Sequence, residues 1–266
     1  MSNRYEPSGW LAELVRYREL FWFLAWRDIK IRYKQTALGA AWAILQPLSV
    51  MIVFTLFIGR MTGLDKDNSP YPVFVYSALL PWTYFSTSLV MASNSLIANS
   101  SLITKVYFPR VLLPAASALS GLLDLVIGAI FLVLLMLYYG IAPTWRLALF
   151  PGLIVALWIL TVGVGMGLAA LNANYRDVKY TVPLILQLGL FVTPILYPSR
   201  LVPDNLRLLL AANPLTGLIE AFRACVMPNA PFDPRLLAWS GIMTVIVCGA
   251  GIVYFRKTER VLADVV

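Results

Sequence analysis

Residues 38–59 read LGAAWAILQPLSVMIVFTLFIG, twenty-two positions without a charge. At about 1.5 Å per residue a helix of that length reaches roughly 33 Å, enough to cross a hydrocarbon core of about 30 Å. Outward from it, five more apolar runs lie near 72–98, 111–139, 147–171, 181–197 and 236–255. The fifth run in order is short and carries Pro183 and Pro194. Prolines in spans are tolerated where neighbours re-satisfy the freed backbone groups. Hydrophobic residues are 60% of the chain and charged residues 13%, so little is left for a water-soluble unit. The expectation is an all-α integral membrane protein with six transmembrane helices in a single domain covering 1–266.

The basic residues set the orientation. Residues 1–37 are charged throughout, unlike a cleavable signal with its short apolar core near the start, so the first span reads as an uncleaved signal-anchor. With both termini on the cytoplasmic side, the inner segments 1–37, 99–110, 172–180 and 256–266 hold 14 of the 21 Lys and Arg. The outer segments hold the other 7, and the excess predicts N-in, C-in. The net charge of +8 is then a topology signal and an attraction to anionic lipid headgroups. No basic soluble domain exists to hold nucleic acid.

Several chemistries are excluded by what is missing. The chain has no histidine, which removes a Ser-His pair, a two-His zinc site on a helix and a His proton relay. It has no Gly-x-Ser-x-Gly elbow and no Gly-Lys dipeptide, hence no Walker A loop. Asp124 is the one ionisable residue placed inside a span, so a membrane aspartyl dyad lacks its second carboxylate. No metal or cofactor is expected. Cys225 and Cys248 fall at different depths, so no disulfide is expected.

Five further features carry information. Segment 10–34 reads as an interfacial helix, with Trp22, Trp26, Ile29 and Tyr33 on one face and Arg27, Lys30, Arg32 and Lys34 beside it. It serves either as an anchor or as a contact for a cytoplasmic partner. The second span ends in Ser86-Thr87-Ser88, Ser93-Asn94-Ser95 and Asn99-Ser100-Ser101. Repeats seven apart stay on one side of a helix, giving a polar face that joins helices by hydrogen bonds or lines a wet passage. In the turn 99–110, Leu102, Ile103 and Val106 give a short helix an apolar side that suits docking, with Lys105 among them. Gly163-Val-Gly-Met-Gly167 reads as a close-packing motif. Segment 198–235 holds two apolar half-length helices, 203–212 and 216–224, divided by Asn213-Pro214. They either re-enter the outer leaflet or rest on it as a cap, and Glu220 and Arg223 are spaced to pair. For Asp124 two readings stand: a structural hydrogen bond near the inner leaflet, or a part in gating or headgroup contact.

Four stretches together resemble one family. They are Arg27-Asp-Ile-Lys-Ile-Arg-Tyr-Lys-Gln35 continuing through Leu38-Gly39 and Trp42 to Gln46-Pro47; Leu102 to Arg110 continuing to Leu113-Pro114; Tyr175-Arg-Asp-Val178; and Asn213-Pro-Leu215 through Glu220 to Arg223. The tail Phe255 to Asp264 fits as well. Their order is similar to that of the polysaccharide-export ABC-transporter permeases, nearest the O-antigen (lipopolysaccharide) exporters. The resemblance implies a homodimer in the bacterial cytoplasmic (inner) membrane, working with two copies of a separate ATPase subunit. It implies a polysaccharide cargo on a polyprenyl diphosphate lipid. It also marks Leu102, Ile103, Lys105, Val106, Arg27 and Lys30 as the coupling region, and Asn213, Pro214, Glu220 and Arg223 as the outer gate. A conduit between two copies would hold a polymer that six packed helices cannot. Sugar C–H faces stack on rings, so Trp42, Phe54, Phe57, Trp82, Tyr84 and Phe85 are candidates to line it, against the alternative that they face lipid or pack inside. Other cargoes for the same architecture are teichoic acid, capsule, lipid or drug. A membrane enzyme acting on lipid-linked substrates would lack a catalytic constellation.

Overall fold

The structure, a computed structural model, describes residues 15–34, 39–59, 70–203 (Arg200 by its backbone alone), 210–228 and 230–259. Among these residues it is all-helical, and five helices are long and apolar enough to cross a membrane. The first, residues 39–59, is a 3-10 turn, then α2 (Trp42–Phe54), then a π-helical turn Thr55–Gly59. Its predecessor α1 spans Arg18–Tyr33. The second span is α3 (Tyr71–Ala98), followed by the short α4 (Ser100–Lys105). The third divides into α5 (Leu112–Ser120) and α6 (Leu122–Tyr138). Next come α7 (Phe150–Asn174), α8 (Val178–Val192), α9 (Pro214–Val226) and α10 (Pro234–Glu259). The fifth expected span is α8, only 15 residues long, roughly 22 Å of helix against a core of about 30 Å.

α3 sits at the centre and touches α2, α5, α6, α7, α8 and α9. Small residues make that possible: Ala78, Ser88, Ala92 and Ser93 are buried, and short side chains let helix backbones approach. The glycines of α7 do the same on two sides. A Cβ on Gly165 would lie 2.7 Å from Ala92 Cβ of α3. One on Gly163 would lie 2.3 Å from Cys248 Sγ of α10, and one on Gly251 of α10 would lie 2.2 Å from the Gly163 carbonyl oxygen. The packing reading of Gly163–Gly167 is thus correct, with two neighbours in place of one. The third span divides at Gly121, where Ser88 of α3 approaches so closely that its hydroxyl lies 2.0 Å from the place of an ideal Cβ.

Contacts define two ends of the bundle. At the terminal end, α1 lies along α5 and the Arg110 guanidinium donates to the Glu259 carbonyl oxygen. At the loop end, the Tyr71 hydroxyl donates to the Leu196 carbonyl at 2.8 Å and the Thr144 hydroxyl to that of Cys225 at 3.3 Å. Cys225 and Cys248 are both free and buried.

The face that fixes α1 is not the one its aromatics suggest. Phe21, Leu24 and Ala25 are buried against α5 and its neighbours, while Trp22, Phe23 and Trp26 stay exposed. Exposed rings beside Lys30, whose ammonium sits 5.7 Å from the Trp26 ring, suit a helix at headgroup level. Asp28 adds the polar tie: it accepts from the Ser117 hydroxyl at 2.9 Å and from Arg27 at 2.8 Å.

Candidate functional site

Two clefts meet near the terminal end. The first, about 620 Å³, lies between the close of α1 and helices α2, α3, α6 and α8. Trp42, Trp82 and Tyr84 line it, with Gln46, Thr87 and Gln187 among the polar groups. The walls formed by α2 and α8 are also the least buried: the first span is 11% buried, and Val182 is the one buried residue of α8. Gln46 and Gln187 are both exposed. The second cleft, about 910 Å³, lies between α1, the end of α3, α4 and α5. Arg27, Arg32 and Lys105 line it with Asn94, Asn99 and Ser101.

Asp124 stands at the junction. Its two carboxylate oxygens accept from Arg32 and from the Tyr33 hydroxyl, both on α1. Burial first, and then the bond to Asp124, push the Tyr33 hydroxyl above its ordinary pKa, so it remains a donor at neutral pH. The intramembrane carboxylate therefore has a cation and a hydroxyl as partners, which is how such a group is tolerated. Those partners lie 92 and 91 positions away.

The polar face of α3 divides between the two roles considered for it. Ser86 and Thr87 line the first cleft and return their hydroxyls to the Thr83 carbonyl of their own helix. Asn94 joins helices: its side-chain oxygen accepts from Asn172 of α7 at 3.0 Å, and Asn172 also donates to the Ser93 carbonyl at 3.0 Å.

Of the six candidate aromatics, Trp42, Trp82 and Tyr84 reach the first cleft, Trp42 half-exposed and the other two nearly covered. Tyr84 also donates to the Ala118 carbonyl at 3.0 Å. Phe85 is interior packing, 6.2 Å from Trp82 ring to ring. Phe54 leans on the same core, and Phe57 is exposed away from the cleft.

In the turn, Leu102 and Ile103 partly pack on the cluster beneath α1, whereas Val106 and Tyr107 are exposed at 53% and 75%. The apolar surface presented outward is therefore Val106 with Tyr107, which the spacing of Leu102, Ile103 and Val106 did not single out. Lys105 is exposed beside them, and Lys30 is exposed on α1. Asn99 does not cap α4 with its side chain; its amide donates back to the Ser95 carbonyl at 2.8 Å.

The second outer helix is longer than 216–224 and far more enclosed. α9 starts at Pro214 with Asn213 as its N-cap, whose oxygen accepts from the Leu215 N–H at 3.0 Å while its amide donates to the Thr193 hydroxyl at 2.9 Å. Every residue from Leu215 to Ile219 and from Ala221 to Val226 is buried. Arg223 is 1% exposed; its guanidinium donates to Glu220 at 2.9 Å and to the Pro194 and Ile195 carbonyls at 2.8 and 3.1 Å. It also stacks on the Phe74 ring at 3.7 Å. Hence Arg223 is enclosed within the chain, where it ties α9 to α3 and to the turn after α8. Burial follows from Gly217, whose N–H meets the Ser240 hydroxyl at 2.9 Å with no room for a Cβ. The first outer helix, 203–212, lies mostly outside the described residues, as do residues 10–14 of the interfacial segment and the tail beyond 259.

Residues 19–227 match the ABC-2 type transporter family, and the chain belongs to it. Among curated proteins it is 32% identical to the O-antigen export system permease protein RfbA of Myxococcus xanthus, over 94% of this chain and 96% of that one. It is 28% identical to the Klebsiella pneumoniae protein of the same name, over 90% and 92%. It is 24% identical to the polysialic acid transport protein KpsM of Escherichia coli, over 96% and 98%.

Proposed function

We propose that this chain is the membrane permease subunit of an ATP-driven exporter that moves a lipid-linked polysaccharide, O-antigen-like in kind, across the bacterial inner membrane. The observation that carries the reading is nearly end-to-end similarity to export permeases in a chain whose least buried spans flank an aromatic cleft. Two copies face each other across α2 and α8. Gln46 and Gln187 at membrane depth are costly against lipid and suit a wet passage lined with hydroxyls and rings. Both termini are cytoplasmic, so the terminal end, with Arg27, Lys30 and Arg32 of α1 and Arg256 and Lys257 of α10, faces the cytoplasm.

ATP hydrolysis is the work of a separate ATPase subunit, two copies to a dimer. It docks at the end of α4, where Val106 and Tyr107, just beyond the helix, offer apolar surface beside Lys105. The test is co-purification of a tagged permease from its own host. An ATPase subunit is expected with the wild type. Val106→Asp with Tyr107→Asp is expected to cut its recovery at least ten-fold, since a charge in an apolar contact costs more than about 1.4 kcal/mol, while the permease still inserts. Equal recovery with wild type and the double variant places the docking elsewhere, and recovery of no ATPase from wild type contradicts the reading.

A further inference from the structure

Arg32 lines both clefts, as do Val90 and Met91. Its guanidinium bonds Asp124 on one side and touches the Met91 sulfur on the other. The side chain therefore stands as the partition between a cationic cleft and an aromatic one. On the cationic side, Arg27, Arg32 and Lys105 face one carboxylate, Asp28, and Asp28 is committed to Arg27 and Ser117. That leaves an excess of positive charge, with Asn94, Asn99 and Ser101 as further hydrogen-bonding groups. On the aromatic side, Trp42, Pro47, Trp82 and Leu190 form an apolar wall. A molecule with an anionic head and an apolar tail matches the pair of clefts.

We propose that the Arg32–Asp124 pair is a latch that a lipid-borne diphosphate opens. This rests on the export reading and names the first contact of its cargo. The diphosphate binds among Arg27, Arg32 and Lys105 and takes the Arg32 guanidinium from Asp124. A guanidinium forks onto two phosphate oxygens with better geometry than a single carboxylate oxygen allows. With Arg32 turned away, the two clefts become one. Asp124 keeps the Tyr33 hydroxyl, so α1 stays tethered while its cation moves. Lys105 and Leu102 of α4 line the same cationic cleft, which puts an occupant there against the segment assigned to ATPase docking. Binding shifts the latch only by the difference in affinity between its open and closed forms, so Asp124 acts as a built-in competitor.

The test uses the full-length chain in phosphatidylcholine nanodiscs, with farnesyl diphosphate as the probe. Asp124→Asn keeps the shape and removes the competing charge. It is expected to bind the probe roughly ten-fold tighter than wild type, the scale of a charge-assisted hydrogen bond. Arg32→Gln is expected to bind roughly ten-fold weaker on the same scale, and Arg235→Gln at the loop end to bind as wild type. Inorganic diphosphate should compete, and adding phosphatidylglycerol to the disc should change affinity less than about two-fold. Asp124→Asn binding no tighter than wild type, with both proteins monodisperse, overturns the latch even where Arg32→Gln fails to fold. Absence of wild-type binding overturns it too. Loss of binding in phosphatidylglycerol discs assigns the cleft to a phospholipid headgroup and overturns the cargo role. None of these results touches the export reading, which stands or falls on the polymer's location in cells.

Discussion

Arg223→Ala is expected to lower the melting temperature of the purified permease by roughly 10 °C or to prevent its accumulation. Truncation leaves Glu220 and the Pro194 and Ile195 carbonyls without their shared donor and bares the Phe74 ring. Breaking a buried charged pair costs about 3–5 kcal/mol, and each kcal/mol moves a chain of this size by about 2–4 °C. Arg223→Lys should recover only part of the loss, because one ammonium nitrogen cannot span the acceptors that two separate guanidinium nitrogens meet, nor lie as a plane on the Phe74 ring. Melting followed in a single detergent measures it. A shift under about 2 °C for Arg223→Ala would mean the guanidinium is not the tie that its contacts describe.

Gly251→Leu should abolish folded protein. The first side-chain carbon would fall 2.2 Å from the Gly163 carbonyl oxygen and 3.6 Å from the Gly167 nitrogen. Backbone cannot yield as a flexible side chain does, so α7 and α10 must separate. The cost lies above the roughly 1–3 kcal/mol of ordinary overpacking. Gly249→Ala on the same helix is the control: a Cβ there meets nothing within 4 Å, and alanine suits a helix better by about 1 kcal/mol. Fluorescence-detected size exclusion should show a monodisperse peak for Gly249→Ala and aggregate for Gly251→Leu. Two equal peaks would refute the close approach.

Hydropathy made the long spans legible because each is an uninterrupted apolar run. The glycine spacing in α7 was legible because small residues at i and i+4 share a side. What stayed hidden shares one cause: a run that is apolar all round does not show which side meets protein. Tyr84 and Phe85 on α3 therefore looked like Trp42 on α2, although α3 is enclosed and α2 is not. For α9 the sequence leaves re-entry and a membrane-resting cap open and does not show its enclosure by protein, because burial in protein and burial in lipid demand the same side chains. The spacing of Glu220 and Arg223 shows that the two can pair, while the other partners of Arg223, namely Phe74, Pro194 and Ile195, come from elements that only the fold brings together. The inward face of α1 was missed because it includes Ala25 and Asp28, small and charged, where a stripe of large apolar residues is the usual sign. Asp124 announced that it needed a partner, and nothing within its own span could tell that Arg32 and Tyr33 supply one.

The central claim is export of a lipid-linked polysaccharide, and the location of the polymer tests it most directly. In a host strain deleted for this chain, the account predicts that surface polysaccharide disappears while lipid-linked polymer accumulates on the cytoplasmic face, and that the wild-type chain restores the surface material. Unchanged surface polysaccharide after clean deletion, with no accumulation inside, would contradict it.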